Sequence, residues 1–178
     1  NNPAIILADG IIGQMMEKVV LPPFRPRRTE EEIRKQMPWA TQGKLAGHKR
    51  NVITSLELDP AIMEENNIRF QAKYRKIEEA EVRYEEIGCE NADYLMIAFG
   101  SMARICLKTQ EMALAEGIKV GVLRPITLWP FPSKIIAEYA NKVKGMISVE
   151  LNAGQMVEDI RLAVNGKVKV EHFGRLGG

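Results

Sequence analysis

The second half of the chain predicts an α/β fold, a small doubly wound and mainly parallel sheet, and three observations carry that prediction. Apolar runs of strand length alternate with segments whose apolar residues recur at helical spacing. The runs are apolar on both faces, as strands covered from both sides must be. The connections between them are short, so successive strands wind in parallel through right-handed crossovers. A linker or helical arm precedes this sheet, and the opening residues read as the tail of another α/β domain.

In chain order, residues 4–8 (AIILA) form a continuous apolar run typical of a strand covered on both faces, and Asp9-Gly10 is the turn after it. IIGQMMEKVV then places Ile11, Ile12, Met15, Met16 and Val19 at helical spacing, with Met15 and Met16 read as packing residues. Residues 1–20 cannot cover that strand alone, so they are expected to be the last strand and helix of a larger domain. The closing GRLGG is likewise expected to be an interruption. From Leu21 the character changes: PPFRPRRTEEEIRKQMPWATQGKLAGHKR holds four prolines, many charges and few periodic apolar positions, which predicts a linker or an arm draped over a neighbour. Arg25, Arg27 and Arg28 are followed at once by Glu30, Glu31 and Glu32, so a charge-balanced solvated surface is expected there rather than an anion site.

Asp59-Pro60 opens a helix, an acceptor cap followed by proline at the first helical position. Met63, Phe70, Tyr74, Ile77, Tyr84 and Ile87 mark a narrow apolar stripe through charged residues, predicting one long surface helix that ends at Gly88, with Asn66-Asn67 as a candidate break. The regular pattern follows. YLMIAF (94–99) is a strand, and Met102, Ile105, Cys106, Thr109, Met112 and Ala113 line one helix face. Residues 118–123 are the second strand, with Ile135, Ile136, Tyr139, Ala140 and Val143 inward on the next helix. Residues 146–151 are the third, followed by Met156, Val157, Ile160, Ala163 and Val164, and residues 168–172 are the fourth.

Composition narrows the function. Lys plus Arg 25 against Asp plus Glu 23 leaves a net charge of +2, without the dense basic face that nucleic acid requires. No apolar run approaches the roughly 20 residues of a membrane span, and nothing at the start resembles a secretion signal. The expectation is no nucleic acid, no membrane and a cytoplasmic setting, which two unpaired cysteines also suit. Cys89 and Cys106 form no CxxC and have no neighbouring histidine, so no metal or iron–sulfur ligand set is expected from this chain alone. Cys106 reads as a small core residue. His48 and His172 stand alone and are expected to be structural or solvent-facing.

In such a sheet the loops leaving the carboxyl ends of the strands share one edge, and ligands favour that edge. Three loops meet there. Gly100-Ser101 opens a helix with Arg104 a turn further on; LRPITLWPFP follows the second strand; and in NAGQ, Asn152 can cap while Gly154 frees the backbone. Two helix amino-termini with Ser101, Arg104 and Arg124 make a candidate anion cradle. Neither GxGxxG nor GxxxxGK[ST] is present. Ser101 has no histidine partner in view, and Glu150 reads equally as a general base or as a salt-bridge partner for Arg124. No catalytic residue is assigned. The same edge is also a candidate interface, with Trp129 and Phe131 as anchors and Asn152 and Gln155 beside them. Pro125 stops the second strand, while Pro130 and Pro132 hold the next segment extended and lead into a helix near Ser133.

ILADGIIGQMMEKV, PWATQGK, EVRYEE, RPITLWPFP, ELNAGQMVEDIRLAVNGKV and HFGRLGG give the chain a resemblance to the alpha subunit of 2-oxoacid:ferredoxin oxidoreductases, most of all the 3-methyl-2-oxobutanoate (2-ketoisovalerate) type. The resemblance implies a thiamine diphosphate enzyme with Mg2+, an iron–sulfur cluster and coenzyme A, oxidatively decarboxylating a branched-chain 2-oxoacid to an acyl-CoA while reducing ferredoxin. It implies beta and gamma/delta partner subunits that carry the diphosphate, metal and cluster sites. It also implies residues 1–20 as the tail of a pyrimidine-binding domain, 21–90 as a linker arm and long charged helix, and 91–178 as a transketolase C-terminal-like, Rossmann-like domain. The catalytic glutamate of the pyrimidine domain has no counterpart here, since Glu17 follows the wrong element. None of the cofactors is therefore expected on this piece alone, which is expected to be inactive by itself. Two other readings stand: a small-anion or coenzyme A docking module, and the closing domain of a transketolase or of a 2-oxoacid dehydrogenase beta subunit.

Overall fold

The computed structural model describes residues 2–40, 43, 47 and 49–177; His48 and parts of the GKLAGHKR segment lie outside the described residues. The chain divides into two compact units, one of Asn1–Met15 with Ala72–Gly178 and one of Met16–Gln71.

The first unit is built on a five-stranded sheet. Its strands are β1 (Tyr84–Ile87), β2 (Tyr94–Ile97), β3 (Val120–Pro125), β4 (Gly145–Glu150) and β5 (Val170–Gly174), in the order β1-β3-β2-β4-β5. β3, β2, β4 and β5 run parallel, as the alternation predicts, and β1 joins the β3 edge antiparallel. Side chains alternate across the sheet. Leu95, Ile97, Leu123 and Met146 pack under α5 (Ser133–Tyr139) and α6 (Met156–Val164), together with Ile136, Tyr139, Met156, Ile160 and Val164. Met96, Ala98, Val122 and Val149 pack on the other face against Ala103 and Cys106 of α4 (Gly100–Ala115). The doubly wound α/β class is therefore correct.

Several expectations need correction. The long helix α3 (Pro60–Ala80) starts where Asp59-Pro60 places it, with Asp59 Oδ1 accepting from the Ala61 amide at 2.9 Å, and it passes Asn66-Asn67 unbroken. It stops at Ala80 rather than Gly88, because Tyr84–Ile87 pairs with β3 instead, setting Glu85 opposite Arg124. Residues 4–8 form no strand: Ile5, Ile6 and Leu7 stand 71–93% exposed, with no neighbouring strand to pair them. The helix after them shrinks to α1 (Gly10–Gln14), a single turn with no buried residue, and residues 15–20 leave it before Pro22-Pro23.

On α4 the inward face is rotated from the expected one. Ile105 and Met112 are 54% and 61% exposed, while Gln110 turns inward and its Nε2 donates to the carbonyls of Ile87 and Val120 at 2.9 and 2.8 Å. That amide staples α4 to the strand ends beneath it.

The second unit carries α2 (Glu30–Gln36) and the larger part of α3, and none of its described residues is buried. α2 is a helix inside the predicted linker. Thr29 Oγ1 accepts from the Glu32 amide at 3.2 Å and Glu32 Oε2 accepts from the Thr29 amide at 2.8 Å, a reciprocal cap that closes the first turn.

Candidate sheet-edge site

The order β3-β2-β4-β5 fixes where a site can form. The chain leaves β2 outward to β3 and then returns past β2 to β4, so the winding reverses between β2 and β4. At that reversal β2 passes into α4 and β4 passes into α6. Gly100 makes the first turn with φ at 59°, a left-handed backbone that glycine adopts without strain.

Glu150, the last residue of β4, is the centre of this edge. It is 1% exposed, yet its carboxylate is fully engaged. The Ser148 hydroxyl donates to it at 2.7 Å, and the amides of Gln155, Met156 and Val157 donate at 3.1, 2.9 and 3.0 Å. Burial alone would push this carboxyl up; the Ser148 hydroxyl and the amides of Met156 and Gln155 outweigh it and hold the group below the ordinary glutamate value. Glu150 is thus a buried anion that caps α6 from beneath. Asn152, expected to cap, instead accepts from the Gly154 amide at 2.7 Å and shapes the bend before the helix. The Gln155 side chain is exposed.

Glu150 is not the partner of Arg124. That guanidinium pairs across the strands with Glu85 at 2.8 Å. Ser101 and Arg104 sit together at the amino end of α4 and are both engaged by the opening segment. The Ser101 hydroxyl donates to Asp9, whose other oxygen accepts from the Ile12 amide at 2.7 Å, and Arg104 reaches the Met15 sulfur at 3.8 Å. The Ile12 amide, then the Ser101 hydroxyl, keep Asp9 ionised below its ordinary value. Trp129 is 57% exposed and stands edge-on to Tyr74 with ring centroids 5.8 Å apart. Phe131 packs against the chain's own core, and Pro132 behind it is fully buried.

His172 is the residue the sequence reading missed. It lies opposite Ser148 in the β4–β5 pairing, and its Nδ1 stands 3.6 Å from Glu150 Oε1. Ser148 and Glu150 alternate to one face of β4, and the β4–β5 register brings His172 onto that face.

No group of three His, Cys, Asp or Glu stands together for a metal among the described residues. Cys89 and Cys106 lie in cores on opposite faces of the sheet, and burial pushes both thiols up to about 11, so neither is a ready thiolate ligand. These residues do not fit a resident cluster, and they offer no carboxylate set for a magnesium-bound diphosphate.

Fold and edge together define a doubly wound α/β domain of the kind that carries a ligand or a partner where its winding reverses. Residues 92–178 match the family described as pyruvate:ferredoxin oxidoreductase core domain II. Over 177 residues the chain is 45% identical to ketoisovalerate oxidoreductase subunit VorB of Methanothermobacter thermautotrophicus, covering 99% of this chain and 48% of that subunit. It is 29% identical over 179 residues to 2-oxoglutarate synthase subunit KorA of Archaeoglobus fulgidus, covering 99% of this chain and 50% of that one. A solved 2-oxoglutarate:ferredoxin oxidoreductase from Magnetococcus marinus, with 2-oxoglutarate, coenzyme A and succinyl-CoA bound, superposes with a TM-score of 0.59 at 26% identity, covering 68% of this chain and 21% of that one. The chain spans about half the length of the curated relatives it matches. The resemblance to 2-oxoacid:ferredoxin oxidoreductase subunits is borne out.

Proposed function

We propose that the chain is part of the alpha subunit of a thiamine diphosphate-dependent 2-oxoacid:ferredoxin oxidoreductase of the 3-methyl-2-oxobutanoate type. Such an enzyme converts a branched-chain 2-oxoacid and coenzyme A to an acyl-CoA and carbon dioxide, passing the electrons to ferredoxin. The observation that supports this substrate type is the 45% identity to a ketoisovalerate oxidoreductase subunit along 99% of this chain, against 29% for a 2-oxoglutarate synthase subunit. Thiamine diphosphate, when bound, supplies the carbanion chemistry; it, Mg2+ and the cluster belong on beta and gamma/delta subunits or on alpha-subunit residues other than these. The described residues supply scaffold and interface. In this reading residues 1–20 close a pyrimidine-binding domain, 21–90 are an arm with its helix, and 91–178 are the transketolase C-terminal-like domain, all in the cytoplasm. Ser101, Arg104 and Arg124 are the residues offered to coenzyme A; Trp129, Asn152 and Gln155 are offered to a partner chain, with Phe131 packed behind them against the core.

Co-expression of the complete alpha subunit with its partner subunits tests this. The purified complex should reduce ferredoxin only when a 2-oxoacid and coenzyme A are both present, with kcat/KM for 3-methyl-2-oxobutanoate at least tenfold above 2-oxoglutarate. A preference for 2-oxoglutarate, or reduction without coenzyme A, overturns it. The chain alone should show no saturable binding of thiamine diphosphate in calorimetry.

A further inference from the structure

The Glu150–His172 pair has a consequence that depends on neither the substrate nor the partner subunits. His172 Nδ1 is buried and makes no hydrogen bond among the described residues, and Glu150 Oε1 stands 3.6 Å from it, beyond hydrogen-bond length but within ion-pair range. Glu150 is an anion, since a hydroxyl and three amides all donate to it. A lone pair on Nδ1 pointed at that buried carboxylate would set two electron-rich atoms against each other. Nδ1 must therefore carry a proton. When the ring is neutral this leaves the lone pair on Nε2, the reverse of the arrangement that free histidine prefers.

The surroundings of Nε2 are as particular as those of Nδ1. Gly154 and Gly174 flank it. A side-chain carbon on Gly174 would lie 2.5 Å from Nε2 and 2.3 Å from the Asn152 carbonyl, and one on Gly154 would lie 3.4 Å from Nε2. Two glycines thus make room for the imidazole at the carboxyl end of β5, and the side chain keeps 21% of its surface open. The other ionisable residues of β5 and α6, Glu158, Asp159, Arg161 and Glu171, are exposed.

We propose that His172 is a proton-accepting site on the sheet edge, with Nε2 as its base, and that Glu150 is the positioning residue that holds the ring in its Nδ1–H form. The ligand it takes is a small molecule that presents an acidic N–H, O–H or S–H group to the edge between the β4–α6 loop and the end of β5. A carboxylate fixing Nδ1 so that Nε2 can accept a proton is the general logic of an imidazole base.

The test is a pH series of nitrogen spectra on the full chain labelled with [15N]histidine, in which a His48→Gln variant assigns the two rings. Above the ring's titration, read from the same spectra, His172 should show a pyridine-type Nε2 and a pyrrole-type Nδ1. The reverse pattern overturns the proposal whether or not any variant folds. Glu150→Gln should then move the ring toward the ordinary Nε2–H form; an unchanged tautomer in a folded Glu150→Gln protein overturns the positioning role. Diethyl pyrocarbonate, which attacks a free imidazole lone pair, should carbethoxylate His172 in the folded chain and should not do so after His172→Gln. Resistance of His172 until the chain is denatured would show that Nε2 is closed and would overturn the site.

Discussion

A single buried carboxylate governs the site at the residue scale. Glu150 takes donors from its own strand and from the first turn of α6, so removing it leaves a hydroxyl and three amides without partners in a dry place. Each such loss costs about 1–3 kcal/mol, and Glu150→Ala is expected to destabilise by several kcal/mol in sum. The pH dependence has a definite sign. A carboxyl held below its ordinary value of 4.5 in the fold stabilises the protein fully above that value and loses its contribution as pH falls through the lower, folded value. Urea unfolding at pH 7 and at successive steps below pH 4.5 should show the native protein losing more stability than Glu150→Gln. Parallel losses in the two proteins would mean that Glu150 is not held as an anion.

Elements obey the same local chemistry, but some of their signals are invisible without the fold. β1 is held to the sheet by main-chain pairing and by the Glu85–Arg124 contact on the surface, a pair about half exposed on both sides and so worth under about 1 kcal/mol. Glu85→Lys should lower stability modestly at low salt and far less at high salt, and Glu85→Lys with Arg124→Glu should recover most of the loss in urea melts; a salt-independent loss would point to strand pairing rather than charge. The four parallel strands and the inward residues of α5 and α6 were legible because a strand buried on both faces must be apolar throughout and a helix on one face must repeat every three or four residues. β1 was hidden because Tyr84 and Ile87 also fit a helical stripe, and only pairing with β3 makes YEEI an edge strand. α2 was overlooked for the opposite reason: Thr29 and Glu32 spell a reciprocal cap, but no apolar repeat follows it. The edge itself was legible as a place, through Gly100, Asn152 and Gly154. The Glu150–His172 pair was not, since it depends on which residue of β5 faces Ser148, and strand register is a tertiary fact.

For the whole molecule the contrast is between a unit with a core and a unit without one. Residues Leu95, Ile97, Leu123, Ile136 and Ile160 are fully shielded within the first unit, whereas no described residue of Met16–Gln71 is buried and Val20, Leu21, Phe24 and Leu58 are at least 80% exposed. Exposed apolar side chains in that density cost free energy in water and mark surfaces that gain by association. Backbone with so few packed side chains also opens locally at little cost, while amides beneath the sheet open only with the fold. Limited trypsin treatment should therefore cut first after Arg28, Arg34 and Lys35, and leave a product carrying β1 to β5 that resists much longer. Hydrogen exchange should rank the same way, with β2 and β4 slowest. Adding the partner subunits of a 2-oxoacid:ferredoxin oxidoreductase should slow cleavage at those sites several-fold without changing the resistant product. First cuts inside β2–β5, or an arm cleaved at the same rate with and without partners, would mean that the exposed apolar surface of Met16–Gln71 is not where this chain meets another.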